Sequence, residues 1–245
     1  MLKFRYVAAV GIAAIALSGS AATGAAGVST PTDVVGISPA GVTVGVAHPV
    51  TVTFAGNITD RAAAERTIDI ASSASPPGNF TWLNDRVLQW NPSGFWPAHS
   101  DITVTAGGAK TSFQTGSATV AVADIDAHTF TVSIDGAVVR EMPASMGKSG
   151  FATPVGSFTA LEKQSVVIMD SRTIGIPLSD PEGYKLTVND AVRVTWGGVY
   201  VHGAPWSTGS QGYANVSHGC INLSPDNADW YYNTVSIGDP IIVQS

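Results

Sequence analysis

The stretch "GVTVGVAHPVTVTFAG" (41–56) alternates apolar and polar residues. A period of two places one face of each segment in a core and the other in water, as half-buried strands require. "TIDIASS", "FTWLNDRVLQWNP" and "DITVTAGG" repeat this rhythm between the turn-forming "SPPGN" and "NPSG". Only 12% of the residues are charged, while 26 Gly and 14 Pro supply breaks, a balance that favours strands and turns over long helices. The expectation is a mostly-β chain whose residues 28–116 form an immunoglobulin-like β-sandwich of about five to seven strands, without the usual disulfide. "AAAERT" (62–67) reads as a helical turn, and Trp82, Trp90, Phe95 and Trp96 as packing residues rather than a carbohydrate platform.

A second, β-rich unit is expected over residues 117–245. "TVAVADIDAHTFTVSIDGAVVREMPASMG" holds two alternating runs about Asp135-Gly136, a strong hairpin signal. "TPVGSFTALEK" (153–163) opens on Pro and Gly and becomes one more strand. From Gln164 to Leu186 the pattern loosens around Pro177, Pro181 and Gly183, as in a hairpin or flap over a binding cleft. Ser224, Pro225 and Asp226 match the N-cap, first position and first turn of a short helix. "DPIIVQ" closes the chain as a strand.

The first 27 residues have Lys3 and Arg5, then an apolar run from Val7 to Leu17, then small residues. This is the layout of a secretory signal peptide, and the run is shorter than the roughly 20 residues of a membrane span. Export to the periplasm or cell wall is expected, with retention at the membrane if the segment stays uncleaved. The net charge of −6 gives no electrostatic reason to expect nucleic acid as a partner.

Cys220 is the only cysteine. Exported proteins usually pair their cysteines, so a lone thiol is an intermolecular bridge, an inert buried residue or a reactive group. It sits in "NVSHGCINL" (215–223), downstream of a histidine in "VHGAPWS" (201–207). An imidazole can take a thiol proton and stabilise the thiolate. His218 is too close in sequence to align readily with the sulfur, whereas His202, on a separate strand end, can face it. Gly219 allows a bend that points nearby amides at a developing oxyanion. From these residues alone three readings stand: a thiol acyl-enzyme, inert residues, or a metal held by His202, His218 and Cys220 with an open fourth position.

"VHGAPWSTGSQGYANVSHGCINLSPDNADWYY" closely resembles the signature of the L,D-transpeptidases, cysteine enzymes that cross-link peptidoglycan. Their pattern of a histidine, a spacer, Ser/Thr-His-Gly-Cys and an Asn two positions on is met by His202, Ser217, His218, Gly219, Cys220 and Asn222. "TPVGSF" (153–158) and "GDPIIV" (238–243) are similar to further family features. The likeness covers about residues 118–245, and the preceding sandwich is similar to that of two-domain mycobacterial members. It implies Cys220 as nucleophile, His202 as base, and the Gly203 carbonyl orienting the ring. It also implies that the amides around Gly219 and Cys220, in the turn with Ser217 and His218, hold the oxyanion, and that Tyr184, Trp206 and Asn222 line the cleft. Ile174 stands where some relatives carry an aromatic in the flap.

The implied partners are peptidoglycan stem peptides, a tetrapeptide donor and a diaminopimelate amine acceptor, with carbapenems as inhibitors and no metal or organic cofactor. The implied reaction is 3→3 cross-linking through a Cys220 thioester. The alternatives are an L,D-carboxypeptidase sharing that thioester and a non-catalytic wall-binding protein. Free cysteine ionises near about 8.5. Pairing with His202 is expected to lower that into the roughly 3.5–7.5 range, giving appreciable alkylation near about pH 6.

Overall fold

In β3 (Val50–Phe54) the apolar Val50, Val52 and Phe54 are buried and the two threonines between them are half-buried. β7 (Asp101–Ala106) follows the same rule with Ile102, Val104 and Ala106. These inward faces belong to two opposed sheets. One is ordered β1 (Val34–Ser38), β3, β6 (Val87–Pro92), β5 (Gly78–Trp82). The other is ordered β2 (Thr43–Val44), β8 (Ala109–Thr115), β7, β4 (Ile68–Ala71). The computed structural model describes residues 33–245, so the expected leader segment, residues 1–27, lies outside the described residues.

Among the described residues the sandwich therefore has eight strands where about five to seven are expected. The excess lies in pieces as short as the two-residue β2, which carries too few residues for a period to register. α1 (Arg61–Glu65) is the expected helical turn, capped by Asp60, whose carboxylate accepts from the Ala63 N–H. Trp90 and Trp96 are core residues and Trp82 stacks on Phe54, whereas Phe95 is exposed.

The second half holds two more sheets. A five-stranded sheet runs β11 (Ala137–Pro143), β10 (Thr129–Ile134), β9 (Thr119–Asp124), β17 (Pro240–Gln244), β12 (Gly156–Thr159). Asp135 and Gly136 make the β10–β11 turn, with φ 49° and 84°, as the hairpin signal predicts. A four-stranded sheet runs β13 (Glu162–Asp170), β14 (Lys185–Arg193), β15 (Tyr200–Gly203), β16 (Ile221–Leu223). Ala123, Phe130 and Ile241 from the first sheet share one core with Val192, Val201, Ile221 and Leu223 from the second. α2 (Pro225–Thr234) closes this core with Ala228 and Tyr231, the Tyr231 ring meeting Phe130 edge-on at 4.8 Å. Its Ser224 cap and Pro225 start match the sequence reading.

One correction concerns 153–163, which is two strands rather than one. The chain leaves β12 at Ala160 and Leu161 and enters β13 in a different sheet. The loosely patterned 164–186 is the distal part of the β13–β14 hairpin, whose tip carries a 3-10 turn at Ser171–Ile174. Ile174 is exposed there.

Residues 33–245 lie within one compact unit, and the sandwich meets the second half through main chain. The Gly45 N–H donates to Ile237 O and the Ala47 N–H to Gly238 O, both at 2.9 Å. A Cβ on Gly45 would lie 2.0 Å from the Asp239 nitrogen, so only glycine permits this approach.

Candidate active site

The sheet geometry decides which side chains meet. β15 and β16 are parallel, with His202 in register with Asn222. Side chains at i and i+2 share a face of a strand, so Cys220 falls on the same face as Asn222 and hence as His202. Val201, Ile221 and Leu223 alternate to the opposite face and enter the core beneath α2. The apolar alternation thus anchors two strands while presenting a thiol, an imidazole and an amide on their outer side.

That side opens into a cavity of about 250 Å³ lined by Cys220, His202, Asn222, Ser217 and His218. Tyr184 and Met169 from the β13–β14 hairpin and Trp206 from the following 3-10 turn complete it. Seven of the nine residues singled out from the sequence therefore face one cavity; Gly203 and Gly219 act through their main chain. Among the described residues no group of three or more His, Cys, Asp or Glu side chains converges with metal-binding geometry.

His202 is 2% exposed. Its Nδ1 donates to Gly203 O at 2.9 Å, which leaves Nε2 as the unprotonated nitrogen of the neutral ring. Burial disfavours the imidazolium and lowers the pKa to about 4, partly opposed by the Gly203 carbonyl. Cys220 keeps part of its surface in the cavity, with Sγ 3.7 Å from Gly198 O. Burial pushes its thiol up to about 11, against a smaller opposite effect of the Tyr200 N–H.

The direction of the Cys220 shift is opposite to the lowering expected from pairing with His202. Burial penalises the charged form of each group, so both shifts favour a neutral thiol beside a neutral imidazole over an ion pair.

The turn before Cys220 differs from expectation in a second way. Ser217 Oγ accepts from the Gly219 N–H at 3.1 Å and donates to Cys220 O at 2.6 Å. The Gly219 amide thus already has a hydrogen-bond partner within the turn. Gly219 has φ 114°, a conformation that glycine adopts without strain.

His218 does not pair with the sulfur. Its ring packs between Phe151 and Tyr184, at centroid distances of 4.5 and 4.9 Å, and Nε2 donates to Glu182 at 2.9 Å. Lys148 donates to the same carboxylate oxygen. Asn222 Nδ2 donates to Ser207 Oγ at 3.2 Å, and Gln211 donates to that hydroxyl as well. These bonds tie β16 to the turn carrying Trp206, whose ring lies 6.0 Å from His202. Glu182, Lys148, Ser207 and Gln211 have no signal in the sequence, since isolated polar residues in loops announce no partner.

A family model described as the L,D-transpeptidase catalytic domain matches residues 118–243, and one described as a bacterial Ig domain matches residues 16–110. The chain is 57% identical over 211 residues to L,D-transpeptidase 1 of Mycobacterium tuberculosis, covering 86% of this chain and 84% of that one. Among solved structures it is similar to an L,D-transpeptidase from Mycobacterium smegmatis, with TM-score 0.85 and 69% identity over 88% of this chain and all of that one. It is also similar to an L,D-transpeptidase in complex with imipenem, with TM-score 0.82 and 56% identity over 87% of this chain and 99% of that one. The mostly-β fold, the paired domain types and this extent of identity lead to one assignment: the chain belongs to the L,D-transpeptidase family.

Proposed function

We propose that the protein is an exported peptidoglycan L,D-transpeptidase that forms 3→3 cross-links through a thioester on Cys220. The observation that carries this reading is a thiol and a buried imidazole opening onto one cavity, the imidazole with Nδ1 committed to a carbonyl and Nε2 free. A neutral imidazole with a free ring nitrogen is a general base.

In the first half-reaction His202 Nε2 takes the Cys220 proton as Sγ attacks the diaminopimelate carbonyl of a tetrapeptide stem. The C–N bond to the terminal D-Ala breaks, and the imidazolium returns its proton to the departing amine. In the second, the side-chain amine of a neighbouring diaminopimelate attacks the thioester and gives a proton to His202. The C–S bond breaks and the thiol is reprotonated. Tyr184, Trp206 and Asn222 bound the substrate, and carbapenems acylate the same sulfur, a reading supported by the imipenem complex of a relative.

Incubation of the purified protein with disaccharide-tetrapeptide, followed by mass analysis, tests this function. A dimer lacking one D-Ala is the expected product. Disaccharide-tripeptide alone would make the protein a carboxypeptidase, and no product would refute both.

A further inference from the structure

Thr153 does not line the cavity, yet its hydroxyl holds the peptide that precedes Cys220. Its Oγ1 is 2.9 Å from the Gly147 N and 2.9 Å from the Gly219 O, and the residue is 2% exposed. A backbone N–H can only donate, so the oxygen accepts from Gly147 and its single proton goes to the Gly219 carbonyl. The side chain has little freedom to do otherwise. It is β-branched, which restricts χ1, and Pro154 follows it, which restricts its backbone.

The consequence follows from peptide geometry. In a planar trans peptide the C=O of one residue and the N–H of the next point in opposite directions. Fixing the Gly219 carbonyl on Thr153 therefore fixes the Cys220 N–H on the opposite side. That N–H has no hydrogen-bond partner among the described residues, whereas Ser217 occupies both the Gly219 N–H and the Cys220 carbonyl. Gly219, at φ 114°, offers little intrinsic resistance to rotation of this peptide plane.

We infer that Thr153 is a positioning residue: by clamping the Gly219 carbonyl it holds the Cys220 N–H in the orientation that stabilises the oxyanion formed on acylation. The inference rests on the Cys220 acyl-enzyme reading. A donor fixed before the reaction stabilises developing charge without reorganisation. A peptide free to rotate would present a carbonyl oxygen to that charge in part of the population.

The test compares two reactions of the same sulfur in the full protein. Acylation by imipenem passes through an oxyanion, whereas alkylation by iodoacetamide does not. Thr153→Val keeps the shape and removes the hydroxyl; its imipenem acylation rate is expected to fall about 10- to 100-fold with alkylation unchanged. Thr153→Ser is expected to restore acylation. Should Thr153→Val fail to fold by circular dichroism, Thr153→Ala removes the same hydroxyl with less strain and carries the same expectation. Wild-type acylation in the folded Val or Ala variant would overturn the inference, as would an equal loss in both reactions, which would mean that the sulfur itself is displaced. An unmodified wild type that still alkylates would instead refute the acyl-enzyme reading, and the inference with it.

Discussion

Glu182, in the tip of the β13–β14 hairpin, accepts a hydrogen bond from His218 Nε2 at 2.9 Å, two residues before the candidate nucleophile. Lys148 shares the carboxylate. The contact links a flap to the floor of the cavity it covers, and Tyr184 packs on the same imidazole. The carboxyl is held below its ordinary range, first by the Lys148 hydrogen bond and, to a smaller extent, by His218.

Glu182→Gln keeps the size and removes the charge. Hydrogen exchange across 171–184 is expected to accelerate, and the KM for the tetrapeptide donor to rise more than kcat changes, because the flap is loosened while the sulfur and its base stay in place. An exchange pattern identical to wild type would show that the ion pair does not restrain the flap.

Asp239 sits where the sandwich meets the second half and is 1% exposed. Burial raises its pKa to about 6, while the Ser236 and Val46 amides and Lys163 oppose the shift. A folded-state pKa above the unfolded value stabilises the fold at low pH and loses that contribution as pH rises through about 4 to about 6. Asp239→Asn is therefore expected to match wild type near about pH 4 and to exceed it above about pH 6, by up to about 3 kcal/mol. Denaturant titrations at several pH values measure the difference. His202, with its pKa lowered to about 4, contributes the opposite slope over the same interval, since acid favours the unfolded chain that can bind its proton. The variant should thus show a steeper loss of stability in acid than wild type.

Iodoacetamide alkylation of Cys220 should have its midpoint above the about 8.5 of a free thiol, because burial raises the group to about 11. Carbapenem acylation should persist to lower pH than an ordinary imidazole allows, with its acid limb near about 4 rather than about 6.5. His202→Ala should slow acylation by roughly 10²–10⁴-fold, whereas His218→Ala should act mainly on the flap. An alkylation midpoint below about 7.5 would restore the pre-formed ion pair and contradict the neutral resting state.

Much of the fold can be read from local pattern. Val50, Val52 and Phe54 announce a half-buried strand, Asp135-Gly136 a tight hairpin, and Ser224-Pro225 a helix start, because each signal acts within a few residues. The break between β12 and β13 was not legible, since the alternation runs through Ala160 and Leu161 while the chain changes sheet. The cysteine and two histidines stand out as residue types, and the family resemblance adds their order. Their charge states depend on how much water the fold removes, which no spacing encodes. Thr153 and Glu182 are ordinary polar residues whose partners lie 66 and 36 positions away, and only the folded chain brings them to the thiol turn.

The most direct measurement is the intact mass of the protein after exposure to imipenem, followed by peptide mapping. One adduct confined to the peptide containing Cys220, and lost in Cys220→Ala, is the predicted result. An adduct elsewhere, or one that survives Cys220→Ala, would contradict the assignment of this sulfur as the acyl-carrying nucleophile.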